Sequence, residues 1–447
     1  MRGANLLLAL VLAAGCAPGS SSRARQLAGL RVEDVTGVPP GLPVMDDAEW
    51  HLAIFHVHST NGPWEFRTRS ALDTAANYSA QNARHAMRLA ASRGIRIFIL
   101  TDHNSLDAAF DPLLAAYAKE LGVTLVVGNG WSLGGPLGIN APLWLGHGGP
   151  HASLIGYQAK TRQDLLAPTD TRAPATESVI RTLIETVHER HGVAVLSHPN
   201  AVNNDYELPM PLGFDLVEID GPRGTLASGA RKQWQRWLMR GARIGGIASS
   251  EWHVGLPHDQ LFQHVNLVRT SRRTPEAVVD ALRGGHVMAV SDPGKQPRVL
   301  LGADGDGDGD FGDVREGDVL VPAPGVDRMT FQVRVVGCKD STLLVYGAAS
   351  EEPMWRESCR TGEIVRAYSV ALRQDQRVFV RAELWDGVRL QVVTNPLYFD
   401  AAKPAPLVLD AGLPSPEQYD VDPTDAVRYY PFPTDAGPGP SVDGAAP

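Results

Sequence analysis

Cysteine is scarce in this chain, with 3 in 447 residues, so one intrachain disulfide is the most it can form. Basic residues are not in excess. The 41 lysines and arginines are outnumbered by 50 aspartates and glutamates, for a formal net charge of -9. That balance gives no bulk field to attract nucleic acid. No apolar run beyond the N-terminus is long enough to cross a bilayer. Histidine is missing from everything after His286, although there are 14 between His51 and that position. The length suggests two or more domains, and the histidine asymmetry separates a histidine-bearing region from a C-terminal region of different character.

The first 15 residues read as a targeting segment: Arg2, an apolar LLLALVLAA, then Ala14-Gly15 before Cys16. This resembles a bacterial lipoprotein signal, with Cys16 as the lipidated residue of an exported, envelope-anchored protein. Ala13 stands where leucine is more usual, with Leu12 beside it. An ordinary secretory signal with an incidental cysteine is the alternative. Residues 16–45 then suit a tether. With Cys16 lipidated, Cys338 and Cys359 remain, either as a disulfide in an oxidising compartment or as two buried thiols.

Strands and helices alternate from residue 46 to 292. Strands are expected at 50–58, 96–100, 124–128, 151–157, 193–197, 215–219 and 243–250. Helices are expected at 79–93, 106–121, 176–191, 227–241 and 274–284. The last opens on Thr-Pro and closes on Gly-Gly. The pattern predicts an α/β fold with a parallel sheet covered by helices, possible as a closed barrel of seven strands. Inserts at 61–77 and 131–150 follow strand ends and could overhang a site. From 296 to 402 alternating β segments predict a small β-sandwich, with Trp355 and Trp385 as core or surface aromatics. The tail at 403–447 is rich in Pro, Asp and Gly and predicts disorder.

Four apolar runs end in histidine: HLAIFHVHST, RIFILTDHNS, VAVLSHPN and RIGGIASSEWH. Polar ligands at the C-terminal ends of several strands of one sheet converge. His56 and His58 stand two apart, which on a regular strand places both rings on one face. Asp102 precedes His103 and could orient or bind alongside it, or cap the following segment. His198 is fixed by the next proline, His151 opens HASLIGY, and Glu251 and His253 again stand two apart. Each has an ordinary structural reading alone; jointly they point to a metal site.

HVHST, TDHN, HASLIGY, SHPN and the closing acid-x-His resemble the motifs of the polymerase-and-histidinol-phosphatase (PHP) metallohydrolases over residues 50–292. The β region ending in TNPLYF is similar to the carbaryl-hydrolase-like branch. The resemblance implies a distorted seven-stranded barrel with one to three zinc, manganese or iron ions at its strand ends. It also implies hydrolysis of phosphoesters or, in fewer cases, other esters and carbamates. It assigns His56, His58, His103, His151, His198, Glu251 and His253 as metal ligands, with Asp102 and Asn129 beside them. Two departures stand out. Gly128-Asn129-Gly130 replaces the family's Gly-x-Glu, whose glutamate bridges metals, and Glu251 replaces aspartate. Glu65 and Asp73 are candidates for a further carboxylate. A metal-dependent hydrolase acting on a small molecule is therefore expected, with a degenerate, ligand-binding member or a surface scaffold as alternatives. Separately, Asp304, Asp306 and Asp308 with Gly309 match the start of a calcium loop. Arg315 falls at the closing position, and a solvated acidic turn is the alternative.

Overall fold

The computed structural model describes residues 33–34, 49–61, 78–103, 105–132, 151–162, 164, 177–199, 211–221, 225–254, 256–291, 297–305, 309–323, 325–372 and 377–400. The first strand, β1 (Trp50–Asn61), is followed by β2 (Ile97–Leu100), β3 (Thr124–Ser132) and β4 (His151–Ile155). Then come β5 (Val193–Ser197), β6 (Leu216–Asp220) and β7 (Gly245–Ala248). Four of these strands are fully buried runs, as expected for a sheet covered on both faces.

The helices fall where apolar spacing and caps put them: α1 (Ala80–Ser92), α2 (Pro112–Glu120), α3 (Glu177–Glu189), α4 (Thr225–Met239) and α5 (Pro275–Arg283). Ser79, Asp111 and Thr274 cap α1, α2 and α5 with side-chain oxygens that accept first-turn amides. Pro112 and Pro275 occupy the first helical positions, where a missing N–H costs nothing.

The sheet is not all parallel. β1–β2–β3 and β5–β6–β7 are parallel, but β4 runs antiparallel to both β3 and β5. Nor does it stop at seven strands. Three further strands follow β7: β8 (Trp252–Val254), β9 (Val265–Arg269) and β10 (Val287–Val290). β8 pairs parallel with β1, β9 antiparallel with β1, and β10 with β9. The sheet curls until β7 meets β9 through one side chain: Asn266 accepts from Ala248 N and donates to Ala248 O, both at 2.8 Å.

The region after 296 is not a free-standing sandwich. β11 (Arg298–Ala303), β12 (Arg328–Val336) and β15 (Glu363–Ala371) form an antiparallel sheet. Opposite it lie β13 (Ser341–Gly347), β14 (Trp355–Cys359), β16 (Val378–Asp386), β17 (Arg389–Thr394) and β18 (Leu397–Phe399). β17 pairs with β10, so this second layer continues the curled sheet across the expected domain boundary. Asn395, in the TNPLYF run, is the plug of that joint. Its amide donates to Gly285 O and Val287 O, and its oxygen accepts from Gly246 N. A Cβ on Gly245 would stand 2.6 Å from Leu216 Cδ2 and 3.0 Å from that amide, and one on Gly246 2.5 Å from Ile219 Cδ1, which accounts for the Gly-Gly at the start of β7.

Cys338 and Cys359 are joined in a disulfide, closing a sequence separation of 21. Within the expected tether, Glu33–Asp34 adds two residues to the edge of β15. Cys16, the inserts at 62–77 and 133–150 with Glu65 and Asp73, and the tail from 401 lie outside the described residues. No helix among the described residues is long and apolar enough to cross a membrane.

Candidate metal centre

The strand ends bring two adjoining groups of side chains together. In the first, His58 on β1 and His253 on β8 are register partners across a parallel pair. His103, one bridge away from Gly130 of β3, completes the set. One ligand atom from each of His58, His103 and His253 lies within 4.8 Å of the other two. The His58 ring stacks on both others with centroids 4.3 Å apart, and all three residues are buried. Three imidazoles packed this closely form the donor set of a borderline transition metal. This is the sole grouping of three or more such side chains among the described residues.

The second group is built around Glu218, a carboxylate that sequence reasoning passed over as part of the strand LVEID. Its Oε1 lies 2.6 Å from His56 Nδ1 and its Oε2 accepts from the His198 backbone N–H at 2.8 Å. A carboxylate only accepts, so Nδ1 carries a proton, and in the neutral ring His56 Nε2 keeps its lone pair. Burial disfavours charge on both partners. Their mutual attraction and hydrogen bond outweigh it, holding His56 above the ordinary imidazole pKa and Glu218 below the usual carboxylate range. Glu251 Oε1 stands 3.6 Å from His198 Nε2, and the His56 and His198 rings stack at 5.5 Å.

His56 and His58 thus join different groups, with ring centroids 4.9 Å apart, rather than lying side by side on one regular face. The cause is a register shift: Ile54 pairs with Phe98 but Val57 with Leu100, so β1 carries one extra residue there. His56 has φ 56°, and the Ser250 hydroxyl donates to Phe55 O and His56 O across the irregularity. His198 (φ 30°) and Glu251 (φ 41°) are also in the left-handed region. Non-glycine residues there cost about 1–2 kcal/mol each, and three at one site mark strain held by the surrounding fold.

Asp102 is engaged by Ser59. It accepts from Ser59 N at 2.6 Å and Ser59 Oγ at 2.8 Å, tying the end of β2 to β1. Burial lifts its pKa to about 7, against the pull of those two hydrogen bonds. Gly130 is the residue of β3 turned toward the cluster: a Cβ there would lie 3.4 Å from His103 Nδ1 and 3.5 Å from His58 Cε1. The same Cβ would meet Thr101 O at 2.7 Å, so a glutamate cannot enter without moving the strand. Alternation along β3 turns Asn129, fully buried, to the other face, away from the imidazoles. His151 opens β4 opposite Ser197; its side chain lies outside the described residues. Asp304 accepts from Gly309 N at 2.9 Å, while Asp306 and Asp308 lie outside the described residues.

A histidine cluster at the strand ends of a curled α/β sheet defines a candidate metal-binding protein. No family model matches the chain, and no curated protein matches it. Among solved structures, one similar chain is a two-domain protein from Bacteroides vulgatus described as containing a predicted PHP-like metal-dependent phosphoesterase. It is 12% identical, with a TM-score of 0.38, covering 81% of this chain and 100% of that one. A second is a putative metal-dependent phosphoesterase from Bifidobacterium adolescentis, 11% identical, TM-score 0.27, covering 48% of this chain and 88% of that one. At these TM-scores the likenesses add nothing to what the site's own residues show.

Proposed function

We propose that this protein is a metal-dependent hydrolase of PHP type that acts on an ester, a phosphoester first. The observation that carries the proposal is the His58–His103–His253 cluster, three ligand atoms within 4.8 Å of one another at converging strand ends. His56, oriented by Glu218, with His151, His198 and Glu251, would extend the ligand set toward a second ion. Zinc, manganese and iron all suit such donors. A divalent ion held there supplies Lewis acidity to a water and to the substrate's oxygens. The chain's own residues do the rest. Glu218 fixes the His56 tautomer, and Asp102 with Ser59 locks the end of β2 that carries His103. The three imidazoles of the cluster are themselves buried. The carbaryl-hydrolase-like β region extends the candidate substrates to acyl esters and carbamates. The lipoprotein-like leader supports an envelope-anchored reading, with Cys16 as the anchor.

A second reading is a member of the same fold that binds without turnover. It is favoured by Gly130, where the backbone of Thr101 occupies the room a bridging carboxylate would need. Assays of the signal-free protein on generic phosphomonoesters and phosphodiesters, with added manganese or zinc, separate the two. Metal-dependent turnover abolished by His103→Ala supports the hydrolase. Metal binding with no turnover on any ester class supports the second reading.

A further inference from the structure

A second pair of histidines faces across the surface on the opposite side of β8. His85 lies on α1, and His258 lies in the turn that follows β8. Their Nε2 atoms point at each other 3.4 Å apart at the surface, with His258 exposed and His85 half-buried. That spacing is long for an N–H···N hydrogen bond, which prefers about 2.7–3.2 Å. It is the spacing of a chelate: two nitrogens each about 2.0–2.1 Å from a tetrahedral ion stand about 3.3–3.4 Å apart. The rings meet at a centroid distance of 5.2 Å with a tilt of 55°, so neither stacks over the other and both edges stay directed at the gap.

The turn that presents His258 is held in place without any metal. Trp252 Nε1 donates to Pro257 O at 3.2 Å, and Leu256 N donates to His253 O at 3.1 Å. Trp252 and His253 are neighbours on a strand and point to opposite faces. The histidine pair therefore sits behind the buried cluster and shares no ligand with it.

We propose that His85 and His258 form a second, surface transition-metal site, taking Zn2+ through two imidazole Nε2 atoms, with water completing the tetrahedral shell. Occupied, it bolts the 256–259 turn to α1. Because Leu256 is hydrogen-bonded to His253, it also steadies the backbone that carries one member of the buried cluster. Both rings bind as neutral imidazoles, with one ring moving its proton from Nε2 to Nδ1.

The test is a Cu2+ titration of the full chain, followed by calorimetry and electron paramagnetic resonance. Copper stands in for zinc as the probe because imidazole sites bind it most tightly among the first-row dications. The wild type is compared with His85→Ala, His258→Ala and the double variant, each also in a His103→Ala background so that the buried cluster's ion is read separately. The expected result is one surface Cu2+ site with two nitrogen ligands, weakened about 10-fold or more by either single change, with the double no worse than the singles. Single variants that bind Cu2+ like the wild type, or a spectrum with one histidine nitrogen at that site, would overturn it. A wild type that fills the His85–His258 site but holds no metal in the buried cluster would count against the proposed hydrolase and leave this site standing.

Discussion

Glu218→Gln changes a charge while leaving volume nearly constant, and the structure says what should follow. The two carboxylate oxygens face two donors, His56 Nδ1 at 2.6 Å and His198 N at 2.8 Å. Glutamine brings one acceptor and one donor, so one of those contacts must fail. If the amide nitrogen faces the His198 N–H, two buried donors oppose each other, at a cost of about 1–3 kcal/mol. If it faces His56, that ring must shift its proton to Nε2, and the lone pair offered to an ion is lost. Removing a carboxylate partner of this kind weakens metal binding about 10- to 100-fold, which is about 1.4–2.8 kcal/mol. The assay is metal affinity by calorimetry with zinc or manganese, alongside metals per chain after dialysis against a chelator. A purely structural ion pair would lower the unfolding midpoint in Glu218→Gln but leave metal affinity unchanged, and that result would refute the reasoning.

Three further outcomes are expected. Gly130→Ala puts a Cβ 2.7 Å from Thr101 O and should cost about 1–3 kcal/mol in urea unfolding, with weaker metal binding through His103; an unchanged midpoint would show that the strand yields freely. Asp318 joins the two halves of the molecule. It lies 2.7 Å from His286 Nε2 and accepts from Arg315 N at 2.9 Å; these contacts outweigh its burial and hold its pKa below the ordinary value. A depressed carboxylate stabilises the fold above its unfolded pKa, and that contribution is lost as pH falls through the folded value. The wild type's advantage over Asp318→Asn should therefore be full near neutrality and vanish well below about pH 4; an advantage that persists in acid contradicts it. Reducing the Cys338–Cys359 bond, which closes a separation of 21 residues, should remove about 3 kcal/mol. Thermal unfolding with and without reductant reads this directly, and coincident curves would argue against it.

Apolar runs bounded by turn residues located β1 to β7 and four of the five helices to within a few residues, because burial and capping are local signals; α2 begins at Pro112, six residues after its expected start. β9 (VNLVR) and β10 (VMAV) were not anticipated. They are short, and their places depend on pairing with β1 and β17 rather than on their own pattern. The antiparallel course of β4 was hidden for the same reason: strand direction is set by long-range pairing. At the site, histidines at strand ends were conspicuous, whereas Glu218 was read as one more residue of a strand. The signal was present in LVEID, a buried strand with acids at its C-terminal end beside β5, which runs into His198. The shift that sends His56 and His58 into different groups had no such signal, since H-x-H reads as a regular strand until β2 fixes the register.

The most direct test of the account is metals per chain, measured on protein purified without residues 1–15, after chelation and readdition of zinc or manganese. The account predicts at least one tightly held ion per chain, lost in His103→Ala with the fold intact by circular dichroism. Less than one ion per chain after readdition, or equal metal content in wild type and His103→Ala, would contradict it.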